Sequence, residues 1–169
     1  MGGIKLLLKP KGVLVFEDPY LGDIIQKTSY DQIYDEHAFY FSVTSVQFLM
    51  QRHGLEVIDC LPQPVHGGSM RYVIGHRGAH PVSPNVTKQM QIEESLGLHQ
   101  RATYDQFRKN CEKSRDDLLT LLRELKQQGK SVAAYGATSK STTVTQSCGI
   151  TPSLSAARNA LRSVTVPVR

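Results

Sequence analysis

The stretch Tyr34-Asp35-Glu36-His37 puts a phenol, two carboxylates and an imidazole within four residues. An imidazole titrates near neutrality, so His37 could take a carbon-bound or hydroxyl proton if a neighbour orients its ring. Glu36 or Tyr34 could supply that orientation, or hydrogen-bond an oxygen on which charge develops. Spacing alone does not establish a site, because an acidic surface loop beside a satisfied histidine accounts for the same residues and is the commoner arrangement. A second cluster, Gly136-Ala137-Thr138-Ser139-Lys140-Ser141-Thr142-Thr143, follows a short apolar run. Backbone N–H groups at a helix start, hydroxyls and one lysine all favour an anion such as a phosphate. The cluster lacks the glycines of a P-loop or a dinucleotide fingerprint, and a well-capped strand-to-helix turn explains it equally well. His76 and His80 are four apart, as helix-borne metal ligands would be, but Gly78 lies between them and a strand precedes them. A solvated turn is the better reading, and with no H-E-x-x-H in the chain no metal site is expected.

Those clusters need elements to hold them. The pattern predicts a helix over 4–9, a turn at Pro10-Lys11-Gly12, and a strand over 12–17. Val13-Leu14-Val15-Phe16 is a continuous apolar run, as a strand buried on both faces of a parallel sheet would be. Ligands of open α/β sheets bind beyond the carboxyl ends of strands, which draws attention to Glu17 to Tyr20. Ser42 reads as an N-cap for a helix with Val43, Val46, Leu49 and Met50 on one face, closed by Gly54. Strands follow at 55–61 and 69–76, separated by a Pro- and Gly-rich loop, so the sheet should finish in an antiparallel pair. Ser83-Pro84 opens a long helical region to 128, interrupted near Gly97, with Thr103-x-x-Gln106 resembling a capping box. A second strand–turn–helix begins with Ser131-Val132-Ala133-Ala134-Tyr135. Beyond Ile150 the chain is rich in Ser, Ala and Arg, carries no acid, and does not continue the alternation.

At 169 residues, 40% hydrophobic and 21% charged, the chain has room for one ordinary domain or two small ones. No apolar run approaches 18 residues, so no membrane span or membrane partner is expected. The opening apolar run ends at Pro10, too short for a signal peptide, and Leu6 stands where a myristoylation motif wants Ser or Thr. Cys60, Cys111 and Cys148 are widely spaced with no C-x-x-C. That excludes a disulfide framework and a zinc knuckle and points to a reducing, cytoplasmic setting. The net charge of +5 is scattered rather than gathered in a stripe, which argues against a nucleic-acid partner.

Four blocks in order resemble one family: L-L-K-P-K-G-V-L-V-F-E-D-P-Y-L at 7–21, Y-D-x-I-Y-D-E-H-x-F-Y-F at 30–41, H-G-G-S-M-R at 66–71 and Y-G-A-T-S-K at 135–140. They are similar to the C-terminal part of bacterial S-adenosylmethionine-dependent C-methyltransferases that act on nucleotide-linked deoxysugars. The resemblance runs over 4–150 and implies an α/β fold. A partial Rossmann-like methyltransferase sheet would be followed by a helical segment and the start of a second Rossmann-like domain. The implied organisation is 1–77 for the end of the methyltransferase domain, 78–150 for the start of the C-terminal domain, and 151–169 as a divergent tail. It also implies a chain truncated at both ends. The family's zinc-binding N-terminal domain and the glycine-rich loop that holds S-adenosylmethionine are absent, so the resemblance names no donor-binding residue here.

By resemblance Tyr34, Glu36 and His37 form the active-site motif. His37 removes a proton next to a sugar ketone, and the resulting carbanion accepts the donor's methyl group. Tyr30 and the turn at Gly136, Thr138, Ser139 and Lys140 would contact the nucleotide-linked deoxysugar. A different class of reading, a non-catalytic nucleotide-sugar-binding remnant without a donor site, remains open at this point. Strands apolar on both faces without neighbours would also leave the isolated chain marginally folded, or self-associated through exposed sheet edges.

Overall fold

The run Val13-Leu14-Val15-Phe16 does form a strand, β1 (Val13–Pro19), but not one buried on both faces. In the computed structural model, which describes residues 2–133 and 138–150, Leu14 and Phe16 pack on the core while Val13 and Val15 are 44% and 51% exposed. The neighbour of β1 is not a parallel strand either. β2 (Leu55–Gln63) and β3 (Ser69–His76) complete a three-stranded sheet in the order β1-β3-β2, and β3 runs antiparallel to both. β1 and β2 therefore point the same way, with β3 reversed between them. An apolar run carries no record of which strand will lie beside it or of which face will be covered; here β3 takes the inner position, and the face carrying Val13 and Val15 is open.

The sheet is covered on one face by α3 (Val43–Gln51) and α4 (Pro84–Ser95), both of which pack on β2. Val43, Val46 and Met50 of α3 and Leu55, Val57, Met70, Tyr72 and Ile74 of the sheet are fully buried in one cluster. Burying each such side chain contributes about 1.5–3 kcal/mol. Ser42 caps α3 as its sequence requires: its hydroxyl accepts from the Ser45 amide, and the Ser45 hydroxyl accepts from the Ser42 amide. Ser83 caps α4 with Pro84 at its first position, as expected.

Glu93 of α4 makes the connection that the pattern did not foretell. It is 2% exposed and sits at the start of α3, accepting from the amides of Val43 (2.6 Å) and Thr44 (2.8 Å) and from the Thr44 hydroxyl (2.6 Å). The Tyr20 phenol donates to the same carboxylate at 3.0 Å and accepts from the Gln89 amide at 2.8 Å. A buried carboxylate is tolerable here because the N-terminus of a helix offers unpaired N–H groups and a favourable dipole.

The remaining helices are α1 (Gly2–Leu7), α2 (Leu21–Lys27), α5 (Arg101–Gln127) and α6 (Ser139–Ser147). The interruption expected near Gly97 is present, at φ +65° between α4 and α5. Thr103 is not a cap, however. It lies inside α5, and its hydroxyl bonds back to the Gly97 carbonyl at 2.8 Å. The strand expected from Ser131 is not formed over 131–133, and its last two residues lie outside the described residues, as does the tail beyond Ile150.

Contacts divide the chain into two compact units. The first takes Met1–Ser29 and Ala38–Gln106; the second takes Tyr30–His37 and the described residues from Phe107 onward. This division differs from the motif-based boundary at 77, and it detaches the Tyr30–His37 segment from the sheet that flanks it in sequence. No helix of the described residues is long and apolar enough to cross a membrane.

Candidate functional site

Thr28 ends α2 in a left-handed conformation (φ 53°), and the chain enters a short 3-10 turn, Tyr30–Gln32. The Ile33 amide donates to the Tyr30 carbonyl and the Tyr34 amide to the Gln32 carbonyl, at 3.0 and 3.2 Å. A second turn follows directly, with the His37 amide reaching the Tyr34 carbonyl at 3.5 Å. The turn brings the two rings of the motif together, edge to face, with centroids 6.1 Å apart at 62°. Glu36 sits at the corner of the turn and is exposed, while Tyr34 and His37 are half-buried. A phenol, a carboxylate and an imidazole are thus presented by one tight turn, which is the set needed to remove a proton and hold the oxygen that becomes charged.

This loop is held by the second unit. α6 packs against the Tyr30–Gln32 turn, and Gln32 is 2% exposed. Cys148, at the C-cap of α6, is 5% exposed. Burial, more than any neighbouring group, raises the Tyr30 pKa above that of a free phenol, so it stays protonated. Cys148 carries no motif signal. On α5, Cys111 and Leu118 are half-buried on the face that continues to the buried Leu122, while Ser114 is exposed.

Of the second candidate cluster, Thr138 caps α6 by accepting from the Ser141 amide at 3.3 Å, and Ser139 and Lys140 occupy the first turn. Gly136 lies outside the described residues. The expected turn follows β3 over 77–80, with Arg77 and Gly78 exposed, and His76 Nε2 lies 3.2 Å from the Leu8 carbonyl and His80 Nε2 3.2 Å from that of Lys11. No cluster of His, Cys, Asp and Glu able to hold a metal occurs among the described residues.

A profile of the C-methyltransferase C-terminal domain matches residues 64–158, more than half of the chain. The chain therefore belongs to the C-methyltransferase family. It is similar to C-methyltransferase NovU of Streptomyces niveus, with 35% identity over 151 residues, or 89% of this chain and 36% of that protein. The chain thus spans about a third of the length of this relative.

Proposed function

We propose that the chain contributes the proton-transfer and sugar-binding half of a C-methyltransferase acting on a nucleotide-linked keto-deoxysugar. The observation that carries this reading is the single turn presenting Tyr34, Glu36 and His37 in a chain of that family. His37 takes the proton from the carbon beside the ketone. The C–H electron pair moves toward that carbonyl, leaving an enolate whose carbon is the nucleophile and an imidazolium on His37. The Tyr34 phenol donates to the developing enolate oxygen, and Glu36 accepts from a sugar hydroxyl. Thr138, Ser139 and Lys140, with Gly136, meet the diphosphate at the start of α6, where N–H groups and dipole favour an anion.

S-adenosylmethionine would supply an electrophilic methyl group on a sulfonium. The described residues do not form a site for it. β1 passes into α2 through Pro19 and Tyr20, and a side chain at Gly22 would lie 2.4 Å from the Tyr20 ring, so this strand end offers no open glycine loop. The donor site on this reading belongs to the part of the relative that this chain does not span. The parallel β1 and β2 with β3 reversed between them support placing this sheet at the edge of a larger Rossmann-like one, and the three unpaired thiols support a cytoplasmic setting.

The test grafts residues 4–150 onto the complete N-terminal portion of a homologous C-methyltransferase and measures methyl transfer to a thymidine-diphospho-keto-deoxysugar. His37→Asn is expected to slow the reaction about 10²- to 10⁴-fold. Full rate in that variant would show that His37 is not the base.

A further inference from the structure

We infer that the outer edge of β1 is an interface for a second copy of this chain, the two β1 strands pairing antiparallel about Leu14 to make one continuous sheet. The inference goes beyond the proposed function and does not rest on it.

The two edges of the sheet are not alike. β2 forms one of them, and its outer side is occupied. The Val57 amide donates to Gln47 Oε1 and the Ile58 carbonyl accepts from the Ser83 amide, each at 2.8 Å. The register also shifts between Val57 and Asp59, and Pro62 brings no N–H. Those are the means by which an edge refuses another strand. β1, the other edge, has none of them over its apolar run. Val13 to Phe16 pairs with β3 without a shift, and Glu17 is the first charge in the strand. Among the described residues β3 is its only strand neighbour, and the bridge from Phe41 reaches Tyr20, past its end.

The sequence of β1 selects the strand that fits. Opposed residues of an antiparallel pair point to the same face, so a two-fold axis through the sheet sets odd residues against odd and even against even. Centred on Leu14, Val13 of each copy lies opposite Val15 of the other, and Gly12, which has no side chain, opposite Phe16. Lys11 of each copy then stands beside Glu17 of the other. Centring on Val15 would set Glu17 against Val13, and centring on Val13 would set Lys11 against Val15. A parallel pair of identical edges would bring Lys11 to Lys11 and turn the open face of one copy toward the core face of the other. Both charged positions are held within the chain already: His80 Nε2 lies 3.2 Å from the Lys11 carbonyl, and Arg71 pairs with Glu17 at 2.9 Å.

Charge exchange on the intact chain tests this, read by sedimentation velocity. Lys11→Glu and Glu17→Lys should each raise the dimer dissociation constant about tenfold, since each sets like charges together on both sides of the axis. Mixed in equal amounts, the two variants should form a heterodimer about as tight as the wild-type dimer, every Glu now facing a Lys. Lys11 is exposed, so Lys11→Glu should leave the fold of the single chain unchanged, and a dimer it does not weaken would by itself overturn the pairing. Amides 13–16 should exchange more slowly as the wild-type concentration rises, while those of β2 should not change. A chain that is monomeric at every concentration, or a mixture that associates no better than its components, overturns the proposal. So does protection of 13–16 that appears only when the N-terminal portion of a homologous C-methyltransferase is grafted on, for the edge would then belong to a strand of that portion. Methyl transfer is not a readout here, so failure of the proposed function would leave this result standing.

Discussion

The two units of this chain hold their parts in place by different means. In the first, Tyr72, Met50, Leu55, Met70 and Ile74 are sealed into one core, and a buried Glu93 joins α4 to α3 and to Tyr20 through four hydrogen bonds. In the second, Leu122, Cys148 and Gln32 are the buried side chains among the described residues, and α6 packs on the Tyr30–Gln32 turn. The candidate chemistry sits on the second. Dense apolar packing makes a scaffold that resists small changes, whereas a loop with few buried side chains can be adjusted by its ligand. The difference teaches that sequence proximity to the sheet does not decide which unit controls the site.

Glu93→Ala offers the strongest challenge to the contrast. Losing this carboxylate leaves the Val43 and Thr44 amides and the Tyr20 phenol without their acceptor, which should cost about 3–5 kcal/mol. Glu93→Gln should cost less. Denaturant unfolding followed by exchange at α3 and α4 checks this, and unchanged protection there would mean that the first unit does not depend on the carboxylate.

Alkaline titration sharpens the same point. Burial pushes the Cys60 thiol up from near 9.0 to about 11, and it raises the phenols of Tyr20 and Tyr72 above their ordinary value. The folded chain keeps protons that the unfolded chain releases, so the unfolded state binds fewer protons above about pH 9. Stability is full below that pH and should fall as pH rises toward 11 and beyond, by a few kcal/mol in all, on the order expected for such shifts. Thermal melts from pH 7 to 11 measure it; a flat profile would show these groups to be accessible.

Gly68→Ala should have a smaller effect. Gly68 has φ +135°, and a side chain there would meet Asp23 Oδ2 at 1.9 Å and its Cγ at 2.4 Å. A cost of about 2 kcal/mol is expected, read as a lowered Tm. The least effect on stability belongs to Val15→Lys. Val15 is 51% exposed on the open face of β1, so stability should move by less than about 0.5 kcal/mol. If the exposed edge drives self-association, light scattering should nonetheless report a smaller assembly.

How far the sequence could be read follows from the range of the contacts involved. Strand and helix positions were legible because apolar runs, caps and glycines act locally: Ser42, Gly54 and Ser83 do what their types predict. The exposed face of β1 was not, since Val13 to Phe16 is uniformly apolar and only Leu14 and Phe16 meet the distant core residues. Glu93 was readable in principle. It follows Val86 and Met90 at i+7 and i+3, on the stripe that faces the core, where a charge must find partners. Tyr34, Glu36 and His37 stood out by type, but their spacing alone favoured an ordinary loop, and only the ordered motif blocks tipped that balance. The packing of α6 on the Tyr30–Gln32 turn joins residues over a hundred positions apart and leaves no periodic trace.

The middle strand of the sheet is also the last of the three to be synthesised. β1 pairs only with β3, Glu17 lying opposite Arg71, so nothing made before residue 69 can satisfy its inner edge. On a ribosome β1 would emerge with the edge that β3 covers still unpaired and wait through α2, α3 and β2. The β2–β3 hairpin, closed between Gln63 and Ser69, can then form locally, and β1 docks on a finished edge. Long-range pairing of this kind slows folding and prolongs exposure of an apolar strand to other chains. Yield during expression should therefore respond to temperature and to chaperone supply through the interval before β3 is made.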